Sequence, residues 1–412
     1  MDKVNRQVIV SSAGAWQSRS IVESFRRNVR HYTMFLALIG IWLVFTVLTQ
    51  GVFISTRNLS NLFLQTAAVA ILATGIVLIL VAGQIDLSLG YFLSFIGGLV
   101  GALQLRGHMS TVPSMCIGMV VAILIGCWHG YWIAYRRIPA FIVTLASQLI
   151  LRGAMLAVTL GQTQTPLKTG FLAIGQGYLP NLGVFTNDST FFVMALLMIV
   201  FIVSELRARR VKKRNGYEVV PLSRMLLKIL GVCAGTAVFF GILISYRGIP
   251  YAILIVLALG LLFTYISNNT VFGRQIYAIG GNAEAARLSG IDIRKRVFML
   301  FVLMAALVAI AAFVLTARLG GASPLTGGGM ELDAIAAGFI GGTSVSGGIG
   351  TVPGALVGGL VMASIDNGMS LMDLTPATQL MVKGFILLLA VLVDITTRSA
   401  RIRKKQAKEA RA

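Results

Sequence analysis

Apolar runs of about 20 residues, separated by short polar or charged stretches, recur along the whole chain, and that is the length a helix needs to cross a bilayer. The runs are Thr33–Ile54, Leu62–Ala82, Leu87–Leu105, Val112–Tyr135, Ile138–Leu160, Thr190–Ser204, Met225–Ile244, Tyr251–Ile266, Val297–Leu315 and Ala377–Ile395. Lipid offers no water to satisfy backbone groups, so each run is predicted to be helical. The predicted fold is all-α, a polytopic transmembrane helix bundle of about 10 spans. One stretch, Met330–Ile365, interrupts the pattern with glycines at 338, 341, 342, 347, 348, 350, 354, 358 and 359. Re-entrant or paired half-helices are predicted there, covered by protein or by a water-filled cavity.

Charge orients the spans. Five basic blocks, Met1–Tyr32, Arg136-Arg137, Glu205–Lys228, Asn268–Arg296 and Ile395–Ala412, account for the whole net charge of +21. Short basic loops are retained in the cytoplasm during insertion. With the N-terminus cytoplasmic, four, six and eight crossings bring the successive blocks back to that side. A cytoplasmic C-terminus then requires Met330–Ile365 to cross twice or not at all. The chain divides into an N-terminal segment 1–32, a membrane domain 33–397 with a basic insertion 205–228 and a charged loop 268–296, and a basic tail 398–412.

Composition supports the class: 57% hydrophobic and 12% charged residues over 412 positions, with mean hydropathy +0.85. The positive charge is cut into segments by apolar runs and lacks interleaved aromatics, which argues against nucleic acid as a partner. No apolar core precedes Tyr32, so the first span is predicted to insert uncleaved. Cys116, Cys127 and Cys233 sit singly in apolar runs, as small hydrophobes. A weak internal repeat is visible: Gly83–Leu87 (GQIDL) and Gly329–Asp333 (GMELD) each follow an apolar span and precede a glycine-bearing segment. Duplicated halves around a central path are common in transporters.

The charged loop Phe272–Val297 contains Glu284-Ala285-Ala286-Arg287-Leu288-Ser289-Gly290, an EAAxxxG pattern on the basic side. Two alanines make a short helix that a partner can approach closely, and Gly290 can end it in the left-handed conformation. The residues alone leave two readings, a docking element and a solvated connector.

Polar residues near membrane depth are the other candidates. Asp86 either caps the following helix or faces a wet cavity, and Glu331 and Asp333 carry the same ambiguity. Arg152 either snorkels outward, pairs with a carboxylate or touches a substrate. Asn61, Gln65 and Thr144 either line a path or bond neighbouring helices. Phe141 and Asn367 complete the candidate path. No paired carboxylates are expected at the bundle centre. The loop Gly161–Ser189 is long, polar and nearly uncharged, open to an external protein or simply a cap on the bundle. There is no GxxxxGK[ST] phosphate cradle. His31, His108 and His129 have no metal spacing, and no Ser-His-Asp or HExxH arrangement occurs. An enzyme is a poor fit, with no cofactor or metal predicted in the chain.

Several segments together resemble the permease subunits of bacterial ABC importers for simple sugars. They are AGQIDLSLG (Ala82–Gly90), IPAFIVTLA (Ile138–Ala146), FGRQIYAIGGNAEAARLSGI (Phe272–Ile291), ELDAIAAGFIGGTS (Glu331–Ser344) and MASIDNGMSLMDL (Met362–Leu374). The resemblance covers roughly Leu59–Thr397. Gln84 stands where the family usually has glutamate, and the loop lacks the downstream Leu-Pro of the broader importer signature. The resemblance implies a multi-pass protein of the bacterial inner membrane, with two permease copies around one path. A cytoplasmic ATPase would dock at Gly281, Asn282, Glu284, Ala285, Ala286, Arg287 and Gly290, and would be the subunit that uses ATP. A periplasmic sugar-binding protein would deliver a monosaccharide. The implied cargo is xylose first, on Met362–Leu374 and the basic insertion, with ribose, arabinose or galactose as alternatives.

Overall fold

Two long apolar helices, α2 (Thr56–Val81) and α12 (Ile293–Leu319), form the axis of the bundle. The computed structural model describes residues 34, 36–217 and 219–409, with backbone alone for 393–394 and 397–409. The segment 1–32 lies outside the described residues. The remaining helices are α1 (Leu36–Leu48), α3 (Leu89–Leu105), α4 (Thr111–Gly130, continued by a wider turn to Tyr135) and α5 (Ala140–Thr159). After these come α6 (Thr169–Gln176), α7 (Asp188–Arg214), α8 (Leu222–Ile244), α9 (Tyr251–Asn269), α10 (Val271–Gly281) and α11 (Ala283–Leu288). The last three are α13 (Met330–Ile340), α14 (Val352–Leu371) and α15 (Pro376–Glu409). Among the described residues there is no strand, only isolated bridges at Gln164–Ala322 and Tyr178–Pro250. Among the described residues, seven helices are long and apolar enough to cross a membrane: α2, α4 with its continuation, α5, α7, α8, α9 and α12.

Burial separates core from periphery. In α2 89% of the apolar window is inside the protein, and in α12 67%, against 11% in α7 and in α8. The two central helices run antiparallel: the Arg318 guanidinium reaches the Gln65 carbonyl (3.5 Å), while Met304 and Leu307 fill the space beside Gly75. Near one end of the bundle lie Asn58, Gln65 and Arg318, and at the other end the α7–α8 tip and the loop of α10 and α11. The second is called the basic end below.

The weak sequence repeat has a structural counterpart. Segments α2–α5 and α12–α15 each hold a long central helix, a helix break, a shorter helix and two outer helices. α2 packs on α14 as α12 packs on α4, and α2 meets α13 as α12 meets α3. Likewise α3 lies against α5 as α13 lies against α15. Since α2 and α12 are antiparallel, the halves are inverted. The break before α13 touches the first turns of α3, where Ser94 Oγ accepts from the Gly327 amide (2.8 Å). A Cβ on Gly90 would lie 2.3 Å from the Gly327 carbonyl oxygen, so the backbones meet only because both residues are glycine.

The glycine-rich stretch differs from its sequence-based expectation. It holds one half-helix, α13, about 16 Å long, followed by a turn and a full helix, α14, of about 30 Å. Thr351 caps α14 by accepting from the Gly354 amide (3.2 Å), and Pro353 suits its first turn. Gly354 and Gly358, four apart and so on one face, abut the Gly341 and Ala337 carbonyls of α13. These glycines serve close helix packing and do not break the helix. At the other end of the chain, α15 continues as a single helix of 34 residues into the basic tail.

Candidate functional site

The EAAxxxG segment forms a separate six-residue helix, α11, on the surface of the basic end. Asn282 starts it, its side chain accepting from the Ala285 amide (3.0 Å). Gly290 ends it at φ +81°, and Asp292 immediately caps α12 by accepting from the Lys295 amide (3.1 Å). Glu284 and Arg287 pair at 2.5 Å, both about two-thirds exposed. Gly281, Asn282 and Ala285 are exposed as well, whereas Ala286 is turned inward, so only one of the two alanines faces solvent. Leu288 projects from the helix 79% exposed. The sequence reading did not single it out, although a leucine beside a helix-ending glycine in a charged loop was the available signal. A cleft of about 770 Å³ opens beside the helix, with Gln84, Tyr135, Arg137, Pro139, Arg287 and Arg294 in its walls.

This loop is seated on both halves of the bundle. Gly280 lies so close to the end of α2 that a Cβ there would be 1.6 Å from the Val81 carbonyl oxygen. The same carbonyl accepts from the Gly348 amide (2.8 Å), in the turn before α14. Tyr277 donates to the Gly350 carbonyl (2.7 Å). α10 thus touches the end of α2 and the turn before α14 together.

The predicted path residues fall in several places. Asn367 and Asn58 exchange side-chain amide bonds (2.9 and 3.1 Å), and Asn367 also reaches Gln65 Oε1 (3.4 Å). Asn61 is half-buried on the same helix, α2. Replacing Asn367 by leucine removes both of its bonds to the Asn58 side chain, leaving the Asn58 Oδ1 without its Asn367 donor in the core while Nδ2 keeps the Phe53 carbonyl (2.8 Å), and is expected to destabilise the protein by about 1–3 kcal/mol. Thermal unfolding in detergent checks this, and the Asn58→Leu, Asn367→Leu pair should recover part of the loss.

Asp86 is buried and accepts from the Ser88 amide (2.9 Å) and Ser88 Oγ (2.6 Å), a local turn that ends at the N-cap residue of α3 without bonding an amide of its first turn. Thr144 accepts from the Leu87 amide (3.1 Å) and donates to the Ala140 carbonyl (2.9 Å), tying α5 to that same break. Phe141 stands apart, 51% exposed on the outside of α5. Arg152 is exposed and lies 5.3 Å from the Tyr91 ring centroid, a cation–π contact.

One expectation is overturned at the bundle interior. Asp333 on α13 and Asp366 on α14 flank Lys383 of α15, whose ammonium bridges them at 2.9 and 2.8 Å. Paired carboxylates are thus present. Isolated ions at membrane depth cost several kcal/mol, and sharing one cation between two carboxylates offsets that cost. In the sequence Asp366 and Lys383 are each a single charge among apolar and small residues, and only the fold brings them together.

A polytopic bundle with a surface loop seated on two inverted halves has the organisation of a transport subunit, and sequence comparison decides the matter. The family described as branched-chain amino acid transport system / permease component matches residues 58–391. The chain belongs to this family. The xylose transport system permease protein XylH of Escherichia coli K12 is 40% identical over 375 residues, covering 90% of this permease and 93% of the relative. XylH of Haemophilus influenzae is 39% identical over 374 residues, covering 90% and 97%. The ribose import permease protein RbsC of Escherichia coli K12 is 31% identical over 342 residues, covering 83% and 87%. No solved structure matches the chain. The permease is accordingly a multi-pass membrane transport subunit and not an enzyme.

Proposed function

We propose that this permease forms the membrane path of an ATP-driven, binding-protein-dependent importer of a monosaccharide, D-xylose foremost. The cargo reading rests on the higher identity to xylose than to ribose permeases. The basic end, with both termini, faces the cytoplasm, by the retention of basic loops. There a separate ATPase, which supplies the ATP chemistry, docks on α11. The observation that carries the proposal is the exposed α11 helix carried by α10, which is itself seated on Val81 and Gly350. ATP-driven closure of the ATPase would press α10 and α11 and tilt α2 and α14 in opposite halves. Only an interaction that differs between the inward and outward states can shift their balance. A second copy completes the path. Arg152, exposed on α5 at membrane depth, is better accommodated against a partner copy or a wet path than against lipid.

Glu284→Lys with Leu288→Asp is expected to lower labelled-xylose uptake at least about ten-fold while membrane insertion stays at wild-type level. An exposed pair such as Glu284–Arg287 contributes at most about 1 kcal/mol to stability, so lost uptake would report docking. Wild-type uptake in this variant would sink the docking reading. Uptake competed better by ribose than by xylose would move the cargo and leave the architecture standing.

The Asp333–Lys383–Asp366 cluster favours a second reading, an ion-gradient transporter that titrates at membrane depth. Dissipating the proton gradient while ATP is maintained separates them. Under the first reading uptake continues, and under the second it stops.

A further inference from the structure

The α7–α8 hairpin stands largely outside the bundle, and its outer face carries a pattern that docking and transport leave unused. On α7, Leu196, Ile199, Val200 and Val203 are exposed by 61%, 57%, 56% and 38%. Their spacing of three and four places them on one face of the helix. The same face continues into Arg207, Arg210 and Arg214, all exposed. The first arginine follows Val203 by four residues, about 6 Å along the axis, and the third by about 16 Å. None of the three has an ion pair among the described residues. Glu205, the acid nearest in sequence to Arg207 and Arg210, is engaged by Lys228. On the neighbouring helix Leu226, Leu227 and Leu230 are exposed by 53%, 71% and 68%, with Arg224 exposed just before them.

We propose that this face is a binding site for an anionic phospholipid, with the acyl chains along the Leu196–Val203 stripe and the phosphate under Arg207, Arg210 and Arg214. The apolar stripe needs lipid or protein to cover it, and the arginines begin where hydrocarbon would give way to headgroups. Guanidinium groups suit this role, since their fixed fork of donors matches phosphate oxygens in pairs. Basic side chains just past a membrane span attract anionic lipid, and the attraction fades within a Debye length. The continuity of stripe and cluster on one face selects lipid over a soluble acidic partner, which would not require the apolar half.

The test is native mass spectrometry of the full chain released from nanodiscs of mixed phosphatidylglycerol, cardiolipin and phosphatidylethanolamine. The wild-type chain is expected to retain the anionic lipids over phosphatidylethanolamine by at least about ten-fold. Arg207→Gln, Arg210→Gln, Arg214→Gln together should bring that preference to within about two-fold. Lys212→Gln with Lys213→Gln, which removes charge about 160° and about 100° around α7 from that stripe, should leave it nearly unchanged. Absence of a preference in the wild-type chain overturns the site without reference to any variant. An equal loss in the lysine variant would mean diffuse charge only, and it too overturns the proposal. A lipid preference unchanged in the arginine variant, with loss of a co-purifying protein, would assign the face to that protein instead.

Discussion

Lys383→Met is expected to destabilise the permease by about 3 kcal/mol, the low end of the range for removing one partner from a buried ion pair. The low end applies because the Asp366 side chain keeps 30% of its exposure while that of Asp333 keeps 6%. Methionine preserves most of the side-chain length, so the loss reports charge and not a cavity. Without the ammonium, two carboxylates face each other across α13 and α14 with no cation to separate them. α15 then loses the ionic contact that holds it to the half-helix. Thermal unfolding of the purified chain in nanodiscs measures the effect. The neutralised set Lys383→Met, Asp333→Asn, Asp366→Asn should recover most of the stability, since no uncompensated charge remains. A Lys383→Met variant as stable as wild type would show that water, and not lysine, satisfies the two acids.

Gly280→Val is expected to abolish uptake, to below about one-tenth of wild type, while Gly281→Ala is expected to leave α10 in its seat. The two glycines are neighbours in sequence and opposite in surroundings. A Cβ at 280 would meet the Val81 carbonyl oxygen at 1.6 Å and the Gly348 amide at 2.7 Å, whereas at 281 nothing lies within 4 Å. Both obstacles at 280 are backbone, so no side chain can swing aside and α10 must lift from its seat. Under the docking mechanism the ATPase would still find α11, but its movement would no longer reach α2 and α14. ATP hydrolysis without sugar accumulation is the expected signature in reconstituted vesicles. Wild-type accumulation in the Gly280→Val variant would mean that the force takes another route.

Much of this architecture could be read from the chain before the fold was known. Apolar length and the placement of basic residues are local properties, so the central helices and the basic end are legible directly. The α11 loop is legible for the same reason: Asn282, Gly290 and Asp292 act on amides or dihedrals within three residues of themselves. The ion cluster is not, because its members lie 17 and 50 positions from Lys383 and only packing joins them. A rule was nevertheless available, that a charge inside an apolar run needs a partner. The glycines of Met330–Ile365 misdirect for a different reason. Sequence does not distinguish a glycine that turns the chain, such as Gly347 at φ +80°, from one that lets two helices touch, such as Gly358. The path candidates scatter because Thr144 and Asp86 satisfy nearby backbone amides, which a polar residue near a helix break does whether or not a solute passes.

The interlocking of the two halves has a consequence for synthesis. α2 is complete when the ribosome has added Val81, but the helices that enclose it, α12 and α14, begin at Ile293 and Val352. At about 5–20 residues per second the interval is on the order of 10–60 s. Until then α2 lacks the two helices it packs on most and must wait largely in lipid, although in the finished protein 89% of its apolar window is shielded from lipid. That accounts for a helix of the deep interior being as apolar, at hydropathy 2.4, as the lipid-facing α7 at 2.3. Its composition is set by the solvent it waits in, and its small residues by the neighbours that arrive later.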